Sequence, residues 1–337
     1  MGVRADNSQA SLSAGMALRA SPEALARPAD ASLEPMSSPE VACIGLATAD
    51  TIVSLPGWPA ADGRMLADTV LRSFGGPAAT AAVTISRLGH RAAMIGAVGE
   101  DELGEAVRES LAAAGVDVAG VVTTSGRTAE SVILVDRSAD TRTILHVPGT
   151  SLPALDTAAR ERCAAAEWIH VDQGGHGLVP GIDQSSLSVD AGHRIEGLSL
   201  DGLGLYAPSR SALLDRFPGR GVGAAIGDAL ADGAARVAVT LGAEGAVAGD
   251  AGGAWRVAAP TVEVVSTLGA GDVFHGALLA ALLEGRDLAD AMRRAVVAGA
   301  LSCRALDGRS AIPDAAELEA AVAVAPAVES VLLENLA

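Results

Sequence analysis

The residues best suited to chemistry lie in one stretch, STLGAGDVFHGALLAALLEG at 266–285. VEVV (262–265) reads as a strand, TLGAG as a glycine turn, and DVFHGALLAALLEG as a helix. Small residues at Gly269, Ala270 and Gly271 let the backbone come close to a ligand. The free N–H groups at the helix start, with the helix dipole, favour an anion there. Asp272 in the same place is poorly suited to hold phosphate. It is well suited to take a proton from a hydroxyl attacking beside the phosphate. Phosphoryl transfer asks for this pair: donors for the charge on the equatorial oxygens and a base that orients the nucleophile. The alternative is a plain strand-to-helix turn with Asp272 as an ordinary N-cap.

The elements around this stretch alternate. VACIGLATADTIVSL (41–55) reads as a strand, a turn and more extended chain, and AATAAVTISRLG (78–89) as a helix ended by Gly89. RAAMIGAVG (91–99) is a strand and DELGEAVRESLAAAG (101–115) a helix stopped by Gly115. Such β–α alternation predicts a parallel sheet. ESVILVD (130–136) and TRTILHV (141–147) read as a hairpin that leaves the main sheet and joins 51–72 as a small lid over a cleft. WIHVD (168–172), LSVDAG (187–192) and GLYAP (204–208) are further strands, and the Gly- and Pro-rich link 173–186 is too irregular for a normal helical crossover. VAVTLGAEGAVAG (237–249) reads as a hairpin, 287–304 as an Ala-rich helix, and the chain from Asp314 as a terminal helix.

Composition fits an aliphatic core: half the 337 residues are hydrophobic and only 2% aromatic, as suits helices packed on a parallel sheet. A net charge of -17 argues against nucleic-acid partners, which want a basic footprint. No apolar run approaches the length of a membrane span. Cys43, Cys163 and Cys303 stand far apart with no metal-ligand spacing, consistent with a reduced, cytoplasmic protein. Residues 1–39 read as a disordered leader, 40–325 as the folded domain and 326–337 as a tail. His170, His176 and His275 lie on separate elements without ligand spacing and are read as structural.

STLGAGDVFHGALL resembles the C-terminal signature of the ribokinase-like (PfkB) carbohydrate kinases, and GGPAATAAVTISRLGHRAAMIGAVGEDELG (75–104) resembles their N-terminal signature. Two signatures in the right order, separated by most of the chain, are far more specific than either alone. GPAATAAV, DVFHGAL and GRSAIPD (308–314) are most similar in wording to the sulfofructose kinase branch. The resemblance implies a three-layer α/β/α sandwich with a mostly parallel sheet and a β lid, and an ATP-dependent kinase acting on a sugar hydroxyl, a primary one by expectation. It implies Asp272 as base, with Gly269, Ala270 and Gly271 as the anion hole. It implies sugar contacts at Asp50, Gly75, Gly76 and Thr80, with Arg64 near the lid. Thr240, Gly242 and Gly245 would line the nucleotide, and Ala298, Ser302 and Gly308 would close its pocket. Mg²⁺ accompanies ATP, a monovalent cation is an open requirement, and a homodimer through the lid is a further expectation.

The chain departs from the family pattern in three places. Thr80 stands where many relatives have Asn, and Ser266 where many have Asp. Ala207 and Arg210 occupy the places of an Asn-x-x-Glu that helps order Mg²⁺, which puts metal handling in doubt, or leaves it to water and Asp190. A sulfonate would need cations, for which Arg64 and Arg142 are candidates, so a neutral sugar is an equal expectation. The alternatives are a nucleoside kinase of the same fold, for which Tyr206 and three Phe offer little base stacking, and a weakly catalytic sugar-binding or regulatory protein.

Overall fold

A computed structural model describes residues 38–139 and 141–336; the expectation of a disordered leader falls almost wholly outside them. In chain order the elements are β1 (Val41–Ile44), β2 (Thr48–Leu55), β3 (Thr69–Gly75), α1 (Pro77–Arg87), β4 (Ala92–Gly99), α2 (Glu102–Ala113) and β5 (Asp117–Thr124). There follow β6 (Glu130–Asp136), β7 (Thr141–Val147), α3 (Thr157–Ala165), β8 (Trp168–Val171), β9 (Leu187–Ala191), β10 (Leu205–Pro208), α4 (Arg210–Arg216) and α5 (Val222–Ala231). The last are β11 (Arg236–Thr240), β12 (Ala246–Asp250), β13 (Gly253–Val257), α6 (Ala270–Leu283), α7 (Leu288–Ser302), α8 (Ala315–Val324) and β14 (Glu329–Ser330).

Ten strands form one sheet in the order β14-β13-β12-β11-β10-β9-β8-β1-β4-β5. It is parallel from β11 to β5 and antiparallel at the β12–β14 edge. Successive strand residues face opposite sides, and both sides are dry. Val41 and Cys43 join a core with α1, α2, α6 and α7, while Ala42 and Ile44 join a second core with α3, α4 and α5. This is the expected three-layer arrangement.

A separate four-stranded sheet, β3-β2-β6-β7, makes the lid. Its register sorts side chains by face, because directly opposed residues share one. Ser73, Asp50, Ser131 and His146 form one row across the four strands, and Leu71, Ile52, Ile133 and Ile144 form the next row of the same face. Ile52, Ile133 and Val135 pack with Leu71 and, from the body, Leu268 and Leu306, so this is the inward face.

Two local expectations change and a third, the irregular link 173–186, holds. The stretch 262–265 is not a strand: Val264 and Val265 are exposed, and the Val265 and Ser266 N–H groups donate to the Cys303 carbonyl. Helix α6 begins at Ala270, so Asp272 is the third helical residue rather than its N-cap. The link 173–186 holds only two single-turn 3₁₀ helices, at His176–Leu178 and Gln184–Ser186, and β8 and β9 still pair in parallel.

Candidate active site

The turn before α6 is forced by backbone packing. Gly269 caps the helix with φ 73°, a left-handed conformation suited to glycine. A Cβ there would sit 2.9 Å from Gly308 Cα. The GAGD turn and the GRSAIPD loop therefore meet backbone to backbone, with no room for a side chain. In the first turn of α6 the Ala270 N–H leans 3.4 Å toward the Thr267 carbonyl, while those of Gly271 and Asp272 have no backbone acceptor. Among the described residues the N–H groups of Gly269, Gly271 and Asp272 are thus open, and only that of Ala270 within 269–271 is engaged. Asp272 is partly exposed beside them.

The other wall begins at the β3–α1 turn. A Cβ on Gly75 would fall 2.1 Å from Asp50 Oδ2, and one on Gly76 (φ 93°) 2.2 Å from the Leu46 carbonyl. Both glycines are thus required by close approach, one of them to Asp50. Thr48 Oγ1 donates to Asp50 Oδ1 at 2.9 Å. Asp50 is held above the usual carboxylate range, chiefly by burial, against hydrogen bonds from Thr48 and Ser131 and the charges of Arg309 and His146.

Arg309 joins the two walls, and sequence reasoning did not single it out. Its Nε donates to Thr80 Oγ1 at 3.3 Å and its Nη2 to the Gly75 carbonyl at 3.0 Å. Its charge faces Asp50, Asp272 and Asp307, while burial pulls its pKa down to about 10. Asp307 in turn accepts from Ser73 and Ser310. Thr80 is itself buried. Asp172 was also overlooked as more than a strand end. It is 1% exposed and accepts from the N–H groups of Leu46, Ala78, Gly174 and Gly175 at 2.7–3.2 Å. It thereby ties the β1–β2 turn, the start of α1 and the end of β8 to one point. The only sequence signal for it is an apolar strand that ends in a carboxylate.

Asp272 is pushed up to about 7, first by burial, then by Asp190 and, less, by Asp172; His275 and Arg309 oppose the rise. His275 Nδ1 lies 3.1 Å from Asp190 Oδ2, both groups buried. His170 Nδ1 lies 3.1 Å from Ser188 Oγ, and its ring centroid is 5.7 Å from that of His275. The fold thus brings two of the three histidines together although they sit on separate elements.

In the stretch expected to line the nucleotide, Thr240 ends β11, and Gly242 and Gly245 both have positive φ. A Cβ on Gly245 would lie 2.0 Å from the Val257 carbonyl, whereas one on Gly242 would meet open space. Ser209 bridges Thr240 in parallel, and Arg210 Nη2 donates to Glu244 Oε1 at 2.7 Å. Ala298 and Ser302 have no exposed surface, and the Ser302 hydroxyl donates to the Gly299 carbonyl. They are therefore enclosed within the core on α7 and present no surface to a pocket, a correction to their expected place. Arg64 is exposed in the β2–β3 connection, outside the polar row that faces the cleft. Arg142 Nη1 donates to Thr267 Oγ1 at 2.5 Å, from the lid to the loop before Gly269.

The pfkB family carbohydrate kinase profile matches residues 38–190 and 220–315. The chain belongs to that family. It is accordingly an ATP-dependent kinase with a ribokinase-like fold. An ATP-dependent ribose-1-phosphate kinase of Halopiger xanaduensis is 28% identical over 278 residues, covering 78% of this chain and 91% of that protein. The ribokinase of Lactococcus lactis is 26% identical over 295 residues, covering 83% of this chain and 96% of the relative. The structure of Arabidopsis thaliana ribokinase complexed with ribose and ATP superposes with a TM-score of 0.73 at 22% identity, over 85% of this pfkB-family chain and 99% of that one.

The fit to Mg²⁺ is poor at the family's metal-ordering position. Ala207 is fully buried, Arg210 is a cation committed to Glu244, and Asp190 is engaged by His275. Among the described residues the end of β10 offers no free carboxylate for direct ligation. Ala207 and Arg210 do not fit a protein-ligated ion.

Proposed function

We propose that the protein phosphorylates a hydroxyl of a sugar or sugar derivative from ATP, in the cytoplasm, with Asp272 as general base. The observation that carries this reading is the facing of two walls. Asp272 and the open N–H groups of Gly271 and Asp272 start α6, and the lid turns Ser73, Asp50, Ser131 and His146 inward. Carboxylate, hydroxyls and imidazole in one row suit a polyol, whose hydroxyls both donate and accept.

In the transfer, the substrate oxygen attacks the γ-phosphorus and the bond to the β,γ-bridging oxygen breaks. The hydroxyl proton passes to Asp272, and ADP leaves. The N–H groups at the helix start stabilise the equatorial oxygens. Gly242 and Gly245 give the nucleotide access to backbone near Thr240. Lid closure excludes water, which suppresses hydrolysis of ATP. Arg64 and Arg142 do not gather into an anion site, so a neutral sugar is favoured over a sulfosugar. Tyr206 is buried beneath Arg216 rather than open to the cleft, which disfavours a nucleoside.

The test is ADP release from Mg·ATP across a panel of aldoses, ketoses, sulfofructose and nucleosides, beside Asp272→Asn. Stimulation by one sugar, lost in the variant, is the expected result. Sugar binding by thermal shift without any stimulation would favour a regulatory, sugar-binding role.

A further inference from the structure

The base stands in an unfavourable place for an anion. Asp190 at the end of β9 and Asp172 after β8 both face it with negative charge, and the opposing cations are His275 on its own helix and Arg309 on the 307–310 loop. Arg309 is shared among Asp50, Asp272 and Asp307. His275 faces Asp190 first and Asp272 second. It lies three residues beyond Asp272 on α6 and therefore on the same helical face. Its Nδ1 is 3.1 Å from Asp190 Oδ2, with side chains 5% and 6% exposed. The neighbouring His170, from β8, is wholly buried, and among the described residues its Nε2, like both ring nitrogens of His275, has no hydrogen-bond partner, so the His275–Asp190 contact is a charge pair.

We propose that His275 and Asp190 form a positioning dyad for the base: a buried imidazole–carboxylate pair 3.1 Å apart that offsets the like charge facing Asp272 and leaves it ready as an anion. The proposal rests on the reading of Asp272 as the base. A buried pair of this kind is hard to justify by stability, since hydrophobic residues of similar volume often replace one without loss. Its position one helical turn below the proton acceptor supplies a reason for it. Burial alone would discharge His275, yet Asp190 and then Asp272 draw its pKa above the ordinary value. His170 is pushed down to about 3 by burial, then by His275, so the pair of rings carries one charge and not two. Asp190 is held below the carboxylate range by His275 and, less, His170, against the cost of burial.

The experiment is the pH profile of kcat for the wild type, His275→Asn and the double variant Asp190→Asn/His275→Asn. In His275→Asn an uncancelled Asp190 remains, and the acid limb should move to higher pH by about one unit or more. In the double variant the like charge is gone as well, and the limb should return toward that of the wild type. A merely structural pair would instead lower kcat at every pH without moving the limb. An unmoved limb in His275→Asn, or a double variant that matches it, overturns the proposal. Asp272→Asn separates the two failures: full turnover there removes the base assignment, whereas lost turnover with an unmoved limb removes the dyad alone. Should His275→Asn fail to fold, ¹⁵N-histidine spectra of the wild type still decide. An imidazolium at neutral pH whose signal is absent from the double variant supports the dyad, and a neutral His275 overturns it. A stoichiometric metal ion found by elemental analysis and lost in the double variant would also overturn it, because ligating imidazoles are neutral.

Discussion

As the proposed base, Asp272 works only when ionised, and its surroundings delay that. Burial and the facing Asp190 push its pKa up to about 7, so the deprotonated fraction grows as pH rises through neutrality. kcat should therefore climb between pH 6 and pH 8 and level off above, as measured with saturating sugar and ATP. A flat profile over that range would count against Asp272 as the group that titrates. Asp272→Asn should lower kcat by about a thousandfold, within the usual span of a lost general base, while thermal shifts by sugar and by ATP persist. Asp272, Gly269 and Gly75 stood out in the sequence through the two signatures that resemble the family, since a glycine turn before a carboxylate also suits a plain strand-to-helix turn. Arg309 and Asp172 did not. An arginine in a loop and an aspartate after a strand have many surface roles, and only the fold shows Arg309 bonded to Thr80 and Gly75 and Asp172 under four N–H groups.

Among the elements, the two that set the site are joined by features that tolerate little change. Gly269→Ala would place a Cβ 2.9 Å from Gly308 Cα at φ 73°. The left-handed conformation alone costs a non-glycine residue about 1–2 kcal/mol, and the clash must shift the α6 start. We expect a lower Tm together with a larger fall in kcat than in ATP binding, measured side by side. Asp101 has a comparable role at the lid's root. It caps α2 through the Gly104 N–H and holds both the N–H and the hydroxyl of Thr128, just before β6. Asp101→Ala should cost about 1–2 kcal/mol in urea unfolding, the range of a lost N-cap. Its carboxyl is held low, first by the Thr128 hydroxyl, so the stabilisation is present at neutral pH and disappears as pH falls through that lowered value. The alternation of strands and helices was legible from composition, as was the lid hairpin. The missed pieces have physical reasons. Helix α3 is short and has no apolar face to read, with only Ala159 and Cys163 buried. The valines of 262–265 have strand propensity, but their backbone bonds to Cys303 instead of a sheet partner.

At the scale of the molecule, the lid has two faces, and among the described residues only one is packed within the chain. The inward face carries the polar row and packs its apolar row on Leu268 and Leu306. The register puts Val53, Val70, Val132, Leu134 and Leu145 on the other face, where Val70 is 63% and Leu145 52% exposed. Clustered apolar side chains on a sheet surface mark an interaction site more often than scattered ones do. β3 and β7 are also open edges of that sheet, which proteins commonly cover. A second copy related by a two-fold axis would bury the same patch on both chains. We therefore expect light scattering after size exclusion at tens of micromolar to give twice the chain mass. Leu145→Glu should give a single chain mass with an unchanged circular dichroism spectrum, because the substitution touches only the outer face. If the wild type keeps the single-chain mass across a hundredfold range of concentration, the lid face has no self-partner. If Leu145→Glu remains dimeric, the contact lies elsewhere on the molecule.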